Sequence, residues 1–321
     1  MKRREFITLI GGAAAWPLAA RAQPATRIIG VLWPAPVPPA SPRMESFRQA
    51  LRQLGFVEGK NLAIELRYAK DGPPQLVALA TELTAMKVDV ITAFGDFAPK
   101  IAQQATSTIP IVAISDDVLG AGLINSLSHP GRNITGFTLL SPELSAKRLE
   151  LLQEMVPGLS RVAVLWDPTT GVSQVSIAED AARSLNMKLQ VFEVRGGDDV
   201  VPAVRAARRE GAQALNVFAS PILASLFREI IDAAAEVKLP AIYQWKEHVE
   251  AGGLISYGPN LASMWRQSGT IVVKVLKGAK PEDVPVERPT KFELAVNGKT
   301  ASTLGLSIPA SVLIRADDVI E

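Results

Sequence analysis

The 321-residue sequence has no cysteine and only two histidines. Without cysteine there are no disulfides, thiolate metal sites, cysteine nucleophile or lipid-modified cysteine behind a leader. His129 lies in a Ser-His-Pro-Gly-Arg stretch typical of an exposed turn, and His248 lies in Glu-His-Val-Glu, where we expect a solvated helix end. The sequence therefore offers little material for a metal site or for histidine acid–base chemistry, and we expect no metal.

Familiar catalytic and cofactor motifs are also missing. There is no G-x-S-x-G nucleophile elbow and no Walker loop, and the Gly120-x-Gly122 pair lacks the third glycine of a dinucleotide loop. No run of lysine or arginine indicates nucleic-acid binding, and beyond the N-terminus no apolar stretch is long enough to cross a bilayer. We expect no enzyme activity, no cofactor and no nucleic-acid partner.

The N-terminus has the organisation of an export signal. A basic start with adjacent arginines at positions 3 and 4 precedes a short apolar stretch at residues 6–20, and Ala-Arg-Ala ends at Ala22. We expect cleavage near Ala22, by a route similar to twin-arginine export. The mature chain would lose four basic and one acidic residue, so its formal charge would change from +2 to slightly negative. We predict a periplasmic protein without a lipid anchor.

Three apolar segments occur twice in the same order along the chain. The two copies end at comparable places. Strands and helices alternate between them, which is typical of parallel sheets covered on both faces. The sequence predicts an α/β protein with two lobes of like topology, between which a small molecule would bind. The paired segments lie at residues 27–34 and 161–168, 90–96 and 214–220, and 109–115 and 239–245.

We assign residues 24–138 and about 258–288 to lobe 1, and residues 139–257 and about 289–321 to lobe 2. The hinge candidates are the short Gly- and Pro-containing segments at residues 136–142 and 256–260. Apolar residues at helical spacing predict helices at 41–54, 74–86, 173–185, 200–209, 221–237 and 261–276.

Ligand-binding residues are expected where strands end, because parallel sheets bind ligands outside their carboxyl ends. Carboxylates there would pair with an ammonium, hydroxyl and amide groups would hold a carboxylate, and aromatic rings would flank an apolar side chain. An Asp or Ser directly after a strand can equally be the N-cap of the next helix. The candidates are Asp96, Asp116 and Asp167; Ser115, Asn133, Thr135 and Ser220; and Trp33, Phe97, Tyr243, Trp245 and Tyr257.

Several longer motifs resemble one family of proteins. They lie at residues 56–65, 130–136, 147–152, 253–260 and 289–297, and the resemblance extends from about residue 26 to the C-terminus. The chain is similar to the periplasmic substrate-binding proteins of ABC transporters, in a family that includes tryptophan-binding and other aromatic amino acid-binding members. One departure is Phe94-Gly-Asp-Phe97, where many relatives carry smaller residues.

This resemblance implies a type I periplasmic binding (Venus flytrap) fold, with two Rossmann-like lobes joined by three crossovers. It also implies delivery of a captured small molecule to permease subunits in the inner membrane. We expect a monomer that binds an amino acid or a related small polar compound by hinge closure. Two alternatives stay open: a periplasmic ligand sensor for a membrane receptor, and an exported two-lobed enzyme that uses Asp96, Asp116 or Asp167.

Overall fold

The computed structural model describes residues 26–36, 42–70 and 72–321. The predicted export signal lies outside these residues. The first sheet has five parallel strands in the order β2-β1-β3-β4-β5. Strands β3, β4 and β5 are buried along their whole length, as expected for continuous apolar runs covered on both faces. The five strands are β1 (Arg27–Trp33), β2 (Leu62–Tyr68), β3 (Val90–Phe94), β4 (Ile111–Ser115) and β5 (Ile134–Thr138).

The second sheet has seven strands in the order β12-β11-β10-β9-β8-β6-β7. All of its neighbouring strands run parallel except β10 and β11, which are antiparallel. The seven strands are β6 (Arg161–Trp166), β7 (Lys188–Glu193), β8 (Ala214–Val217), β9 (Ala241–Tyr243), β10 (Ile255–Pro259), β11 (Phe292–Asn297) and β12 (Asp318–Ile320).

Our prediction of parallel sheets is therefore wrong for β11 and β12, which run opposite to the other five strands of the second sheet. The chain leaves the second sheet at the carboxyl end of β10 and folds against the first sheet. It then re-enters the second sheet at that same edge, so β11 runs in the direction opposite to β10. Pro259 consequently pairs with Phe292, the last residue of β10 with the first of β11. The broader prediction of two α/β units on mainly parallel sheets is confirmed.

Twelve α-helices lie in the described part of the chain, and α10 has the predicted bounds. The predicted helix at 221–237 is two helices, since Leu226 leaves helical geometry with ψ of 12°. The helices are α1 (Pro42–Gln53), α2 (Leu76–Ala85), α3 (Phe97–Ala105), α4 (Ser141–Met155), α5 (Ser173–Ser184), α6 (Gly197–Arg209), α7 (Pro221–Ser225), α8 (Phe227–Glu236), α9 (Lys246–Glu250), α10 (Leu261–Leu276), α11 (Gly298–Thr303) and α12 (Ala310–Arg315). None of the described helices is both long and apolar enough to span a membrane.

Helix α10 packs against the first sheet although it follows β10 of the second. It lies beside α1 and covers β3, β4 and β5, whereas α4 packs on β8, β9 and β10. The chain thus passes between the sheets three times, after β5, after β10 and before β11. Below, lobe 1 denotes the first sheet with α1–α3 and α10, and lobe 2 denotes the second sheet with the other helices.

Lobe 1 has a hydrophobic core on each face of its sheet. Ile29, Val31 and Trp33 face the core beneath α1 and α10, while Leu32 faces the core on the opposite side. This alternation follows from the two-residue period of a strand. It brings Trp33, at the carboxyl end of β1, to the side of the sheet that α10 covers.

Candidate ligand-binding site

A cavity lies between the lobes at the carboxyl ends of their strands. Lobe 1 lines it with Trp33, Phe94, Asp116 and Trp265, and lobe 2 lines it with Ser220, Pro221 and Trp245. Its volume is about 50 Å³, far below the few hundred Å³ typical of ligand pockets. The walls must move apart to admit a ligand as large as an amino acid.

A wider groove of about 550 Å³ runs beside this cavity and also has walls from both lobes. Asp96 and Phe97 line it on one side, and residues 168–171 line it on the other. Gly95 and Pro221 line the inner cavity, while the residues that follow them, Asp96 and Ile222, line the groove. The contact between these two chain segments therefore separates the cavity from the groove.

Stacked aromatic rings form the lobe 1 wall of the cavity. The centroid of Trp33 is 4.0 Å from that of Phe94. The Trp265 centroid is 5.1 Å from that of Phe94 and 5.9 Å from that of Trp33. Such contacts add about 0.5–1.5 kcal/mol each beyond the area that they bury. The wall is a packed cluster of aromatic rings, an apolar surface suited to an aromatic or aliphatic side chain.

Asp96 joins the loops that follow β3 and β4. Its Oδ1 accepts hydrogen bonds from the Ser115 hydroxyl (2.5 Å) and from the backbone N–H groups of Asp116 (2.9 Å) and Asp117 (3.1 Å). Its Oδ2 is buried without a partner. Burial raises the pKa of Asp96 to about 6, although these hydrogen bonds lower it. Asp96 and Ser115 therefore shape the loop that presents Asp116.

Asp116 is the carboxylate that faces the cavity. It is only 2% exposed. Its Oδ1 accepts from the Ser141 hydroxyl at 3.1 Å, and its Oδ2 has no partner. Burial raises its pKa well above the ordinary value, and repulsion from Asp96 and Asp167 adds to this effect. The positive charge of Arg148 partly opposes this shift. A cation bound beside Oδ2 would supply the missing hydrogen bond and a second positive charge.

Asp167 and Ser220 both cap short helical segments, which is the alternative that the sequence left open. Asp167 accepts from the backbone N–H and the hydroxyl of Thr169, each at 2.9 Å. Ser220 accepts from the N–H of Leu223 at 2.9 Å and also lines the cavity. Asp167 does not line it, but its charge acts on Asp116.

The sequence analysis missed two arginines near the site. Arg43 of α1 lines the cavity, and its guanidinium carbon lies 6.0 Å from the centre of the Trp245 ring. Arg148 of α4 is 1% exposed and donates from Nε to the Tyr257 carbonyl at 2.8 Å. Its Nη1 has no partner, and burial lowers its pKa to about 9 while Asp116 opposes that shift. Arg148 lies four residues after the buried Leu144 and therefore on the apolar face of α4. An arginine on the apolar face of a helix is a sequence signal by which Arg148 could have been found.

Asn133 and Thr135 lie away from the cavity. Asn133 precedes β5, at the amino end of the sheet, and its amide donates to the carbonyls of Thr106 and Ile109 at 3.0 and 2.8 Å. Thr135 lies inside β5 and donates to the Val284 carbonyl at 2.6 Å. The structure therefore places neither residue with the other candidates. The site lies at the carboxyl ends of the strands, whereas Asn133 and Thr135 lie at the amino end of β5.

Tyr243, Tyr257 and His248 also differ from expectation. The Tyr243 ring is buried in the lobe 2 core, 5.6 Å from the His248 ring, and Tyr257 stacks on Phe292 at 6.1 Å. His248 is 1% exposed rather than solvated. Burial holds its pKa well below the ordinary value, and the charges of Arg43 and Arg148 lower it further. Among the described residues, no group of three or more His, Cys, Asp or Glu side chains could hold a metal.

The predicted residues that do meet around the cavity are Trp33, Asp116, Ser220 and Trp245, with Asp96 and Phe97 in the adjoining groove and Ser115 and Asp167 behind them. The cavity thus combines a wall of packed aromatic rings, the unpartnered Oδ2 of Asp116 and one arginine, Arg43. These groups can bind a small molecule that has an aromatic part and both charges of an amino acid.

Known proteins resemble this chain in sequence and structure. A tyrosine-binding protein of Clostridioides difficile is 26% identical over 267 residues, which cover 82% of this chain and 76% of that protein. The crystal structure of an ABC domain in complex with L-Trp from Streptococcus pneumoniae has a TM-score of 0.84 and 25% identity, covering 92% of this chain and 100% of that one.

A ligand-free, open structure of a substrate-binding protein with adhesive properties from Clostridium difficile has a lower TM-score of 0.63. It is also 25% identical, and the match covers 92% of this chain and 99% of that one. These similarities confirm the type I periplasmic binding fold. The family model for ABC transporter substrate binding proteins matches residues 29–320, and the chain belongs to that family.

Proposed function

We propose that this protein captures an aromatic amino acid between its two lobes and delivers it, chemically unchanged, to a membrane permease. The observation that carries the proposal is the position of Asp116, whose buried and unpartnered Oδ2 belongs to a residue that lines a cavity with an aromatic wall. A ligand with an ammonium group next to an apolar ring satisfies both features at once.

Asp116 would bind the α-ammonium group. A charge-assisted hydrogen bond to a carboxylate contributes about 1.5–3 kcal/mol, more than a neutral one. The same ammonium would offset the repulsion that Asp96 and Asp167 exert on Asp116. Ligand binding would therefore lower the pKa of Asp116 and favour its ionised form.

Arg43 would bind the α-carboxylate. It is the only arginine or lysine among the described residues that line the cavity. Burial lowers its pKa, and the attraction of Glu247 in lobe 2 opposes this shift. The ligand ring would lie against Trp33, Phe94 and Trp265, with Trp245 on the other lobe.

Two observations support closure of the lobes on the ligand. The chain resembles the L-Trp complex with a TM-score of 0.84 but the ligand-free, open structure with only 0.63. A methyl group added at Gly95 in lobe 1 would lie 2.8 Å from Pro221 in lobe 2, so these segments are already in contact. A ligand that touches both lobes gives the closed state an affinity that the open state lacks. The segments at residues 136–142 and 256–260 are our proposed hinges.

Membership of the ABC transporter family supports delivery to a permease. We propose a monomeric protein in the periplasm, exported by its N-terminal signal. The relatives are named as binding proteins, which supports binding without turnover.

Calorimetry and thermal unfolding with L-tryptophan, L-tyrosine, L-phenylalanine and a panel of other amino acids test this proposal. A true ligand at 100 times its Kd stabilises the folded protein by about 2.7 kcal/mol. Asp116→Asn should weaken binding roughly 10- to 100-fold, because it removes the charge that pairs with the ammonium. Asp117→Asn is the matched control, since this neighbour does not line the cavity and should leave the affinity unchanged.

Absence of a thermal shift with every amino acid would refute the ligand class. Equal affinities of Asp116→Asn and the parent protein would refute the role of Asp116. Release of a chemically altered ligand would point to the enzyme alternative.

A further inference from the structure

The indole N–H of Trp265 has no hydrogen-bond acceptor. Trp265 lies in the first half of α10, lines the cavity, and is only 2% exposed. Its Nε1 is buried and unpartnered. Buried tryptophan N–H groups usually find an acceptor, and an unpartnered one in a folded protein requires an explanation.

Neighbouring rings hold Trp265 in place. Its centroid is 5.1 Å from Phe94 and 5.9 Å from Trp33, and the edge of Phe47 approaches from α1 at 6.1 Å. The other residues of α10 that line the cavity, Leu261 and Met264, are apolar. The surrounding side chains thus fix the ring without offering the N–H an oxygen or nitrogen acceptor.

Trp166 provides a contrast within the same chain. It ends β6 as Trp33 ends β1, it is only half-buried, and yet its Nε1 donates to the Gly171 carbonyl at 3.0 Å. Because Trp166 is half-buried, water could accept a hydrogen bond from its N–H, and yet the fold provides a protein acceptor. The more deeply buried Trp265, at the ligand cavity, has none.

We propose that Trp265 determines ligand specificity by donating a hydrogen bond to an oxygen on the ring of the bound amino acid. The preferred ligand would then be a ring-hydroxylated aromatic amino acid such as L-tyrosine, over L-phenylalanine or L-tryptophan, whose rings carry no such acceptor. This inference rests on the proposed function, in which Asp116 binds the ammonium and the aromatic wall binds the ring.

The test compares L-tyrosine with 4-methyl-L-phenylalanine, which has nearly the same size but no ring oxygen. Calorimetry on the parent protein should show about a tenfold preference for L-tyrosine, since the analogue leaves the buried N–H unpartnered. Trp265→Phe keeps an aromatic ring and removes the donor. This variant should therefore bind L-tyrosine and 4-methyl-L-phenylalanine with about equal affinity. Trp33→Phe is the control: it reduces the aromatic surface and should weaken both ligands by the same factor.

A second measurement uses the unaltered protein. In ¹⁵N-labelled protein, the indole N–H resonance of Trp265 should lie further downfield in the L-tyrosine complex than in the 4-methyl-L-phenylalanine complex, since both rings shift it but only L-tyrosine accepts its hydrogen bond. This readout does not depend on a variant that folds.

Equal affinities of the two ligands for the parent protein would overturn the inference and leave the proposed function intact. A Trp265→Phe variant that keeps the parent's preference for L-tyrosine would overturn it in the same way. If no aromatic amino acid binds at all, both the proposed function and this inference fail.

Discussion

Replacement of Asp96 by Asn should make the ligand-free protein more stable at neutral and alkaline pH. The asparagine keeps the side-chain oxygen that accepts from Ser115 and from the N–H groups of Asp116 and Asp117, but it removes the buried charge. Asp96 is 5% exposed, so solvent screens this charge little.

The size of the effect follows from the pKa of Asp96. Burial raises it from 3.8 to about 6, and each pKa unit corresponds to about 1.4 kcal/mol. The folded protein therefore binds the proton more tightly than the unfolded chain, by about 3 kcal/mol. That stability is fully present below pH 3.8 and is lost as the pH rises through 6. Because Asn stays neutral, Asp96→Asn should match the parent near pH 4 and exceed its free energy of unfolding by about 3 kcal/mol near pH 8.

Urea unfolding of both proteins across this pH range measures the difference. Ser115→Ala is a companion variant of opposite sign: it removes a hydrogen bond that lowers the pKa of Asp96, so its stability relative to the parent should decrease with rising pH. A difference between Asp96→Asn and the parent that does not change with pH would refute the reasoning, as would a less stable variant at pH 8.

Two further substitutions separate ligand binding from folding. Gly95→Ala places a methyl group 2.8 Å from Pro221 only when the lobes are together; the strain of its φ of +73° costs about 1 kcal/mol in either state. Calorimetry should show about tenfold weaker binding, and an unchanged affinity would mean that this contact plays no part in closure. Thr135→Val removes the hydrogen bond to Val284 and should lower the free energy of unfolding by about 1–2 kcal/mol in urea with no change in ligand affinity. A loss of affinity there would return Thr135 to the binding site.

Local periodicity made much of the fold predictable. The apolar spacing along α10 gave its bounds correctly, because one face of that helix is buried along its whole length. The direction of β11 was not predictable in the same way. It depends on the path of the chain between the lobes, and no local pattern at residues 292–297 records that path.

The site was predictable to the level of strand ends but not of side-chain direction. Asp116 and Trp245 face the cavity, whereas Tyr243, two residues before Trp245, turns into the lobe 2 core. The sequence pattern at a strand end is the same whether a polar or aromatic side chain faces the cavity or the core. Arg43 and Trp265 come from helices, which a search confined to strand ends leaves out.

The position of α10 has a consequence for how the protein is made. Trp33, Phe47 and Phe94 leave the ribosome early, but Trp265, which packs on all three, is synthesised only after β10 of the other lobe is complete. Until then only α1 covers this face of the first sheet, and the apolar surface that α10 will cover stays exposed, which favours aggregation. A fragment that ends near residue 140 would therefore contain every strand of lobe 1 but only α1 of the two helices that cover that face. The aromatic wall of the cavity is completed by the last third of the chain, so lobe 1 cannot be completed before most of lobe 2 has been synthesised.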